Sequence, residues 1–164
     1  AEEETAGTST LGLSPISLPV TVEGIAYPSL MHAFQAQKEN YAKDYEGKGL
    51  SETSAFVRSK QKEYVSLDLQ SANQKGRMIN LDIQQWDKDK DDVMYDIIHN
   101  CYKQHEDVRQ RLSAAPADIV EDCLPDDYWG RQNNMGKAWM RLRDEMISKG
   151  LNVGENANKR SRTE

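Results

Sequence analysis

The spacing of apolar and polar positions divides this chain into recognisable segments. Pro19-Val20-Thr21-Val22, Glu23-Gly24 and Ile25-Ala26-Tyr27 read as two short strands about a tight turn, with Gly24 supplying the positive φ that such turns need. Pro28-Ser29 then signals a helix start, because a proline in the first turn loses no hydrogen bond and a serine there accepts from orphan amides. The helix is predicted from Leu30 to about Ala42. At about 100° per residue, Leu30, Phe34 and Tyr41 share an apolar stripe with Gln37 beside it, and Met31, Gln35 and Lys38 form an adjoining, more polar one.

Tyr41 to Gly49 is polar, carries two glycines and is predicted as a loop. A helix opens at Leu50-Ser51-Glu52, shows a modest apolar patch at Ala55, Phe56 and Val57, and closes on Lys60-Gln61-Lys62. Ser66 starts another helical run ending at Lys75-Gly76-Arg77, where Gly76 reads as the residue just past the helix. After Trp86, the pairs Val93-Met94, Ile97-Ile98 and Cys101-Tyr102 repeat at helical spacing and mark a core helix. The acidic Asp87–Asp92 run before it lacks the glycine and glutamate of a calcium loop and reads as a solvated first turn. A short helix around Val108–Ala114 and a strand-like Asp118–Glu121 follow. Beyond the polar loop 124–134, Asn134 is placed to cap a last helix whose Met135, Ala138, Trp139, Leu142 and Met146 face inward and which Gly150 ends.

This pattern predicts a mainly α (α+β) fold, a compact multi-helical single domain over residues 16–150 with one small β-hairpin. A flexible arm is expected over residues 1–15 and a disordered tail over 151–164, both from their polar composition. With 164 residues, 37% of them hydrophobic and 29% charged, the chain suits a single buried core. No apolar run approaches the length of a membrane span, and Ala1-Glu2-Glu3-Glu4 is acidic where a secretion signal is basic. Cys101 continues an apolar stripe, so that a buried free thiol is expected, and with Cys123 it makes neither a disulfide framework nor a metal site. These features point to an intracellular, cytoplasmic protein, with the nucleus left open by the basic Lys159-Arg160-Ser161-Arg162 stretch. A net charge of −6 argues against broad attachment to nucleic acid but leaves room for a local basic pocket.

The stretch Tyr27-Pro28-Ser29-Leu30-Met31-His32-Ala33-Phe34-Gln35-Ala36-Gln37-Lys38 resembles the signature helix of the NADAR family, roughly Tyr/Trp-Pro-Thr-x-Glu-His-x-Phe-Gln-Ala-Gln-Lys. Further similar segments follow in the family's order: Gly76-Arg77, Trp86 ahead of Val93-Met94, Asp126-x-Tyr128-Trp129-Gly130, and Asn133-x-Met135-Gly136-Lys137-Ala138-x-Met140-x-x-Arg143. The resemblance extends from about Pro19 to Met146. It implies cleavage of an N-glycosidic bond at a ribose, with either ADP-ribosylated guanine in DNA or nucleotide, or a phosphoribosylated riboflavin-pathway intermediate, as substrate. It implies no cofactor and no metal, and it brings the signature helix and the Asp126–Asn133 loop to one cleft.

Such substrates require stabilisation of an oxocarbenium-like or ring-opened sugar, a proton for the leaving nitrogen, and donors for phosphate. Under the resemblance Lys38 is the reacting side chain, able to trap the sugar aldehyde as a Schiff base, or else a phosphate donor. Asp126 is the second catalytic candidate, holding ribose hydroxyls or facing positive charge at C1. Trp129 offers a π-face for a base, supported by Tyr128, although an aromatic pair in a loop serves equally as a core plug. Met31, His32, Gln35, Gly76 and Asn133 line the expected substrate site, Gly130 and Gly136 allow close backbone approach, and Arg77 faces an anion.

Two departures stand out. Met31 replaces the family's glutamate, and a thioether takes no proton. The upstream family segment, roughly Phe-Ser-Asn-Phe, is replaced by Gly12-Leu13-Ser14-Pro15. Asp126, Asp127, Glu23 or Glu39 could supply the missing carboxylate, the lysine route could suffice, or the chain could bind ADP-ribose without turnover.

Overall fold

The structure is a computed structural model that describes residues 11–12, 17–45, 50–121 and 126–150. The sequence expectations for the N-terminal arm, the C-terminal tail, Cys123 and the Gly12–Pro15 segment beyond Gly12 lie outside the described residues. The chain forms two compact units, one of residues 15–97 and one of residues 1–14 with 98–164.

The first unit begins with β1 (Val20–Val22) and β2 (Ile25–Tyr27), paired antiparallel with Val20 opposite Tyr27. Their two-residue turn holds Glu23 at φ 50° and Gly24 at φ 82°, the doubly left-handed geometry whose twist matches that of the strands. Val20, Val22, Ile25 and Tyr27 are buried while Thr21 and Ala26 are exposed, the alternation expected of strands covered on one face. There follow α1 (Leu30–Gln37), two short 3-10 turns (Lys38–Tyr41 and Lys43–Tyr45), α2 (Leu50–Lys62) and α3 (Leu69–Arg77). Helix α4 (Ile83–Gln104) starts in this unit and continues into the second. The second unit adds α5 (Glu106–Ala114), a five-residue π-type turn (Asp127–Arg131) and α6 (Asn134–Ser148).

Several expectations change. Helix α1 stops at Gln37 and tightens into a 3-10 turn, and Leu30–Ala36 are buried without interruption, so Met31 and Gln35 belong to no solvated face. The reason is packing: α1 contacts both strands, α2 and α3. In α2 only Val57 of the expected apolar patch is buried, and Phe56 is 46% exposed with its ring edge on Tyr45. Helix α3 starts later than Ser66, because Asp68 accepts from the Ser71 amide and caps it. Gly76 lies inside that helix, and Met78, in a right-handed conformation, caps its end.

Helix α4 begins four residues before Asp87, with Asp82 accepting from the Gln85 amide, so the Asp87–Asp92 run lies inside the helix rather than in its first turn. Among the described residues Asp118–Val120 form no strand, and Glu121 makes only an isolated bridge. Asn133, at φ 58°, precedes α6 where Asn134 was expected, and Asn134 instead donates to the Tyr128 carbonyl at 2.8 Å. The inward face of α6, Gly150 at φ 79° just past its end, and the buried free Cys101 agree with the sequence.

Candidate functional site

Ser29 fixes the start of α1. Its hydroxyl accepts from the His32 amide at 3.1 Å and bonds His32 Nδ1 at 2.7 Å. His32 Nε2 lies 2.8 Å from the Leu67 carbonyl, which can only accept, so the proton is on Nε2 and the imidazole bolts α1 to the chain before α3. Both ring nitrogens are therefore engaged within the protein.

One turn on, Gln35 is buried and donates through Nε2 to Asn73 Oδ1 at 3.1 Å, while its buried Oε1 has no hydrogen-bond partner among the described residues. A side chain at Gly76 would collide with this amide, its Cβ falling 2.9 Å from Gln35 Cδ and closer still to Oε1. Gly76 thus lets α3 approach α1. Arg77, the next residue, is exposed at the end of α3.

Lys38 leaves α1 at the first 3-10 residue. Its ammonium sits 5.9 Å from the centre of the Phe34 ring and 5.8 Å from that of Trp86, within cation–π range of both. Those rings pack 5.2 Å apart, and Tyr41 meets Trp86 edge-on at 5.1 Å. Tyr41 in turn donates to Asp89 Oδ2 at 2.9 Å; burial, and then that carboxylate, push its hydroxyl up to about 12. Trp86 is thus a wall of the lysine's surroundings, with the first turn of α4 holding it there.

Glu39 points the other way. It is 5% exposed and accepts from Tyr64 Oη at 2.9 Å and Tyr45 Oη at 3.2 Å. A buried carboxylate needs such donors, and these two clamp the turn that carries Lys38. Burial and the Glu39 charge raise the Tyr64 hydroxyl far above its ordinary value and push that of Tyr45 up to about 12. The sequence names Glu39 only as one of four carboxylates; Tyr45 and Tyr64 carry no local signal, lying 6 and 25 residues away along the chain.

The second unit holds the other candidates. Asp126 Oδ2 accepts from the Trp129 amide at 2.6 Å, capping the π-type turn in which the Arg131 amide reaches back to the Asp126 carbonyl at 3.1 Å. Such turns are rare and recur at functional sites. Trp129 is 4% exposed and Gly130 is buried, while Tyr128 is half-buried with its ring edge-on to Trp129 at 4.9 Å. Asn133 Oδ1 accepts from the Glu121 amide at 2.7 Å and Nδ2 donates to the Ile119 carbonyl at 2.9 Å. The same carbonyl and amide fill the space above Gly136, where a Cβ would fall 2.7 Å from Asn133 Nδ2. The Asn133 amide is therefore used to hold backbone.

The candidate residues thus form two sets. Met31, His32, Gln35, Lys38, Gly76 and Arg77 belong to the first unit, and Asp126, Tyr128, Trp129, Gly130 and Asn133 to the second. Among the described residues no group of three or more His, Cys, Asp or Glu side chains is placed to hold a metal ion, and no helix is long and apolar enough to cross a membrane.

Residues 6–153 match the family described as NADAR domain. Two relatives, each called N-glycosidase YbiA, from Escherichia coli (strain K12) and Shigella boydii serotype 4, are 28% identical over 138 residues, spanning 78% of this chain and 76% of theirs. The NMR structure of the E. coli protein YbiA is similar with a TM-score of 0.60 and 26% identity, over 86% of this chain and 77% of that one.

Proposed function

This chain belongs to the NADAR domain family, and from that premise we propose that it is an N-glycosidase that removes ADP-ribose from ADP-ribosylated guanine in DNA or nucleotide. The observation that carries the reading is Lys38, an amine held against the faces of Phe34 and Trp86 on a turn fixed by the buried Glu39. An amine in such a place is positioned and partly desolvated, the two conditions under which it serves as a nucleophile.

The chemistry follows from the lysine. Its neutral amine adds at the ribose C1 as the bond from C1 to the base nitrogen breaks, the base nitrogen taking up the proton that Nζ gives up; the bond from C1 to the ring oxygen then breaks as that oxygen takes up a proton, and the opened sugar stays on Nζ as a protonated imine. Water then adds to the imine carbon, the C–N bond to lysine breaks, and ADP-ribose leaves as the free aldehyde with the amine restored. Met31 offers no proton for the leaving nitrogen. In the proposal the Asp126 carboxylate faces positive charge at C1, Trp129 and Tyr128 present aromatic surface to the base, and Arg77 attracts phosphate.

A second reading has its own observation. Met31 is buried within α1 where the family carries a glutamate, which favours an ADP-ribose-binding module without turnover. One experiment separates the two. The protein is incubated with an oligonucleotide bearing ADP-ribosylated guanine, and released ADP-ribose is followed by chromatography, with Lys38→Ala alongside and cyanoborohydride added to reduce any imine to a stable adduct. Release that Lys38→Ala abolishes, with an adduct on Lys38, supports the glycosidase. ADP-ribose binding without release selects the module, and release without binding to Lys38 removes the lysine from the mechanism.

A further inference from the structure

A cavity of about 430 Å³ opens in the first unit, bounded by the hairpin turn, the chain after Lys38 and one face of α2. Thr53, Ser54, Val57, Arg58 and Gln61 recur at helical spacing along that face, and Glu23, Asn40, Ala42 and Tyr45 complete the lining. Its volume falls within the range of small-molecule sites. Lys38, Phe34 and Trp86 are not among its walls.

Four features mark it as a site rather than a packing defect. Thr53 Oγ1 is buried with no hydrogen-bond partner among the described residues, an uncompensated cost that a ligand oxygen would remove. Arg58 is held by one edge, Nη1 donating to the Glu23 carbonyl at 2.8 Å, and it forms no ion pair among the described residues. Glu23 takes φ 50° in a turn position where asparagine or glycine costs less, and it is one of the residues that line the cavity. Gly24 leaves room for the guanidinium, since a Cβ there would stand 3.1 Å from Arg58 Nη2.

Their chemistry is complementary to one kind of molecule. A guanidinium with a free edge suits a phosphate; a carboxylate, two hydroxyls and the Gln61 and Asn40 amides suit ribose hydroxyls; the Tyr45 ring and Val57 offer apolar surface for a base. The geometry points to a binding site for a nucleoside 5′-phosphate in this cavity, with Arg58 on the phosphate and Thr53 and Glu23 on the ribose. The nucleotide could be free, or it could be the nucleotide half of a larger ADP-ribosyl substrate.

The test uses adenosine 5′-monophosphate and calorimetry on the whole chain, so it reads binding without turnover and stands apart from the glycosidase reading. Arg58→Ala is expected to weaken binding about tenfold or more, the worth of a charge-assisted hydrogen bond. Thr53→Val keeps the shape and deletes an unsatisfied hydroxyl, so it should weaken binding severalfold while leaving the melting temperature unchanged or higher. Lys38→Ala should not alter it. Adenosine alone should bind more weakly than the monophosphate by about the Arg58 increment. Competition between the monophosphate and ADP-ribose would assign the site to the nucleotide half of a substrate, and simultaneous binding to a free nucleotide; both keep the site. No binding of the monophosphate, or binding that Arg58→Ala and Thr53→Val leave intact, overturns it.

Discussion

Gln35 occupies the space that any side chain at Gly76 would need, and it is pinned there by its bond to Asn73. The glycine is thus explained by one contact between α1 and α3. Gly76→Ala gains helix propensity of about 1 kcal/mol but must displace a buried amide, so a net loss of about 1–3 kcal/mol is expected. Chemical denaturation measures it. The double variant Gly76→Ala with Gln35→Ser should recover much of that loss, whereas purely additive losses would show that the two residues do not compete for space.

Glu39 and Tyr64 form the buried half of the clamp under Lys38. Tyr64→Phe leaves the buried carboxylate short of a donor and should cost about 1–3 kcal/mol of stability. Glu39→Gln should cost less, because an amide oxygen still accepts one of the two tyrosines. If the clamp positions Lys38, Glu39→Gln should also lower the rate of ADP-ribose release at saturating substrate with little change in substrate affinity. Equal loss in both would reduce the pair to a structural role.

How much of this was legible in the sequence depends on range along the chain. The hairpin, the Ser29 cap and the inward face of α6 follow from neighbours within four residues, and they stand as predicted. The NADAR resemblance singled out Lys38, Gly76, Asp126 and Asn133, and the structure adds a physical reason for the glycine and the asparagine. What spacing could not give was tertiary: that both strands, α2 and α3 would pack on α1, that His32 would reach Leu67, or that Arg58 would lie along the hairpin turn. The last two depend on a partner 35 residues distant, where periodicity carries no information.

Tyr27 predicts the alkaline behaviour. It is 2% exposed, and its hydroxyl has no hydrogen-bond partner among the described residues. Burial pushes it up to about 12, the nearby Arg58 charge partly opposing and Glu23 adding. The folded value exceeds the unfolded one of about 10, so the unfolded chain loses its proton first as pH rises. This contribution is complete below about pH 10 and is lost between there and about pH 12, with Tyr41 and Tyr45 acting in the same direction. Tyr27→Phe should be neutral or stabilising at pH 7 and should flatten the fall in melting temperature above pH 10. An unchanged alkaline slope would remove Tyr27 from the account.

Met31 stands where the resemblance to NADAR proteins leads one to expect a glutamate, and it is buried. Met31→Glu places an acid at a buried position, which should cost about 2–4 kcal/mol at neutral pH and less on acidification, because burial favours the neutral form. The same desolvation makes it a proton donor near neutral pH. Release of ADP-ribose should then rise about tenfold or more, the lower range for general acid catalysis. A stable variant with unchanged release would show that the lysine route works without an acid at this position.

Asn133 carries the strongest structural prediction in the second unit. It adopts φ 58°, a region that costs most L-residues about 1–2 kcal/mol but that asparagine tolerates. Its side-chain amide bonds both the Ile119 carbonyl and the Glu121 amide, tying the chain before the Asp126 turn to the start of α6. Asn133→Gly keeps the backbone conformation and loses both bonds, for a cost of about 1–3 kcal/mol; Asn133→Ala adds the conformational penalty and should be worse by about 1 kcal/mol. Asn133→Asp preserves the acceptor for Glu121 but sets a carboxylate against the Ile119 carbonyl, so it should fall near the alanine variant at pH 7 and recover at low pH as the acid becomes a donor. Denaturation of the three variants at pH 7 and pH 4 gives the ordering. Equal stabilities would mean that the amide serves something other than these two backbone groups, and attention would turn to the substrate role that the family resemblance assigns it.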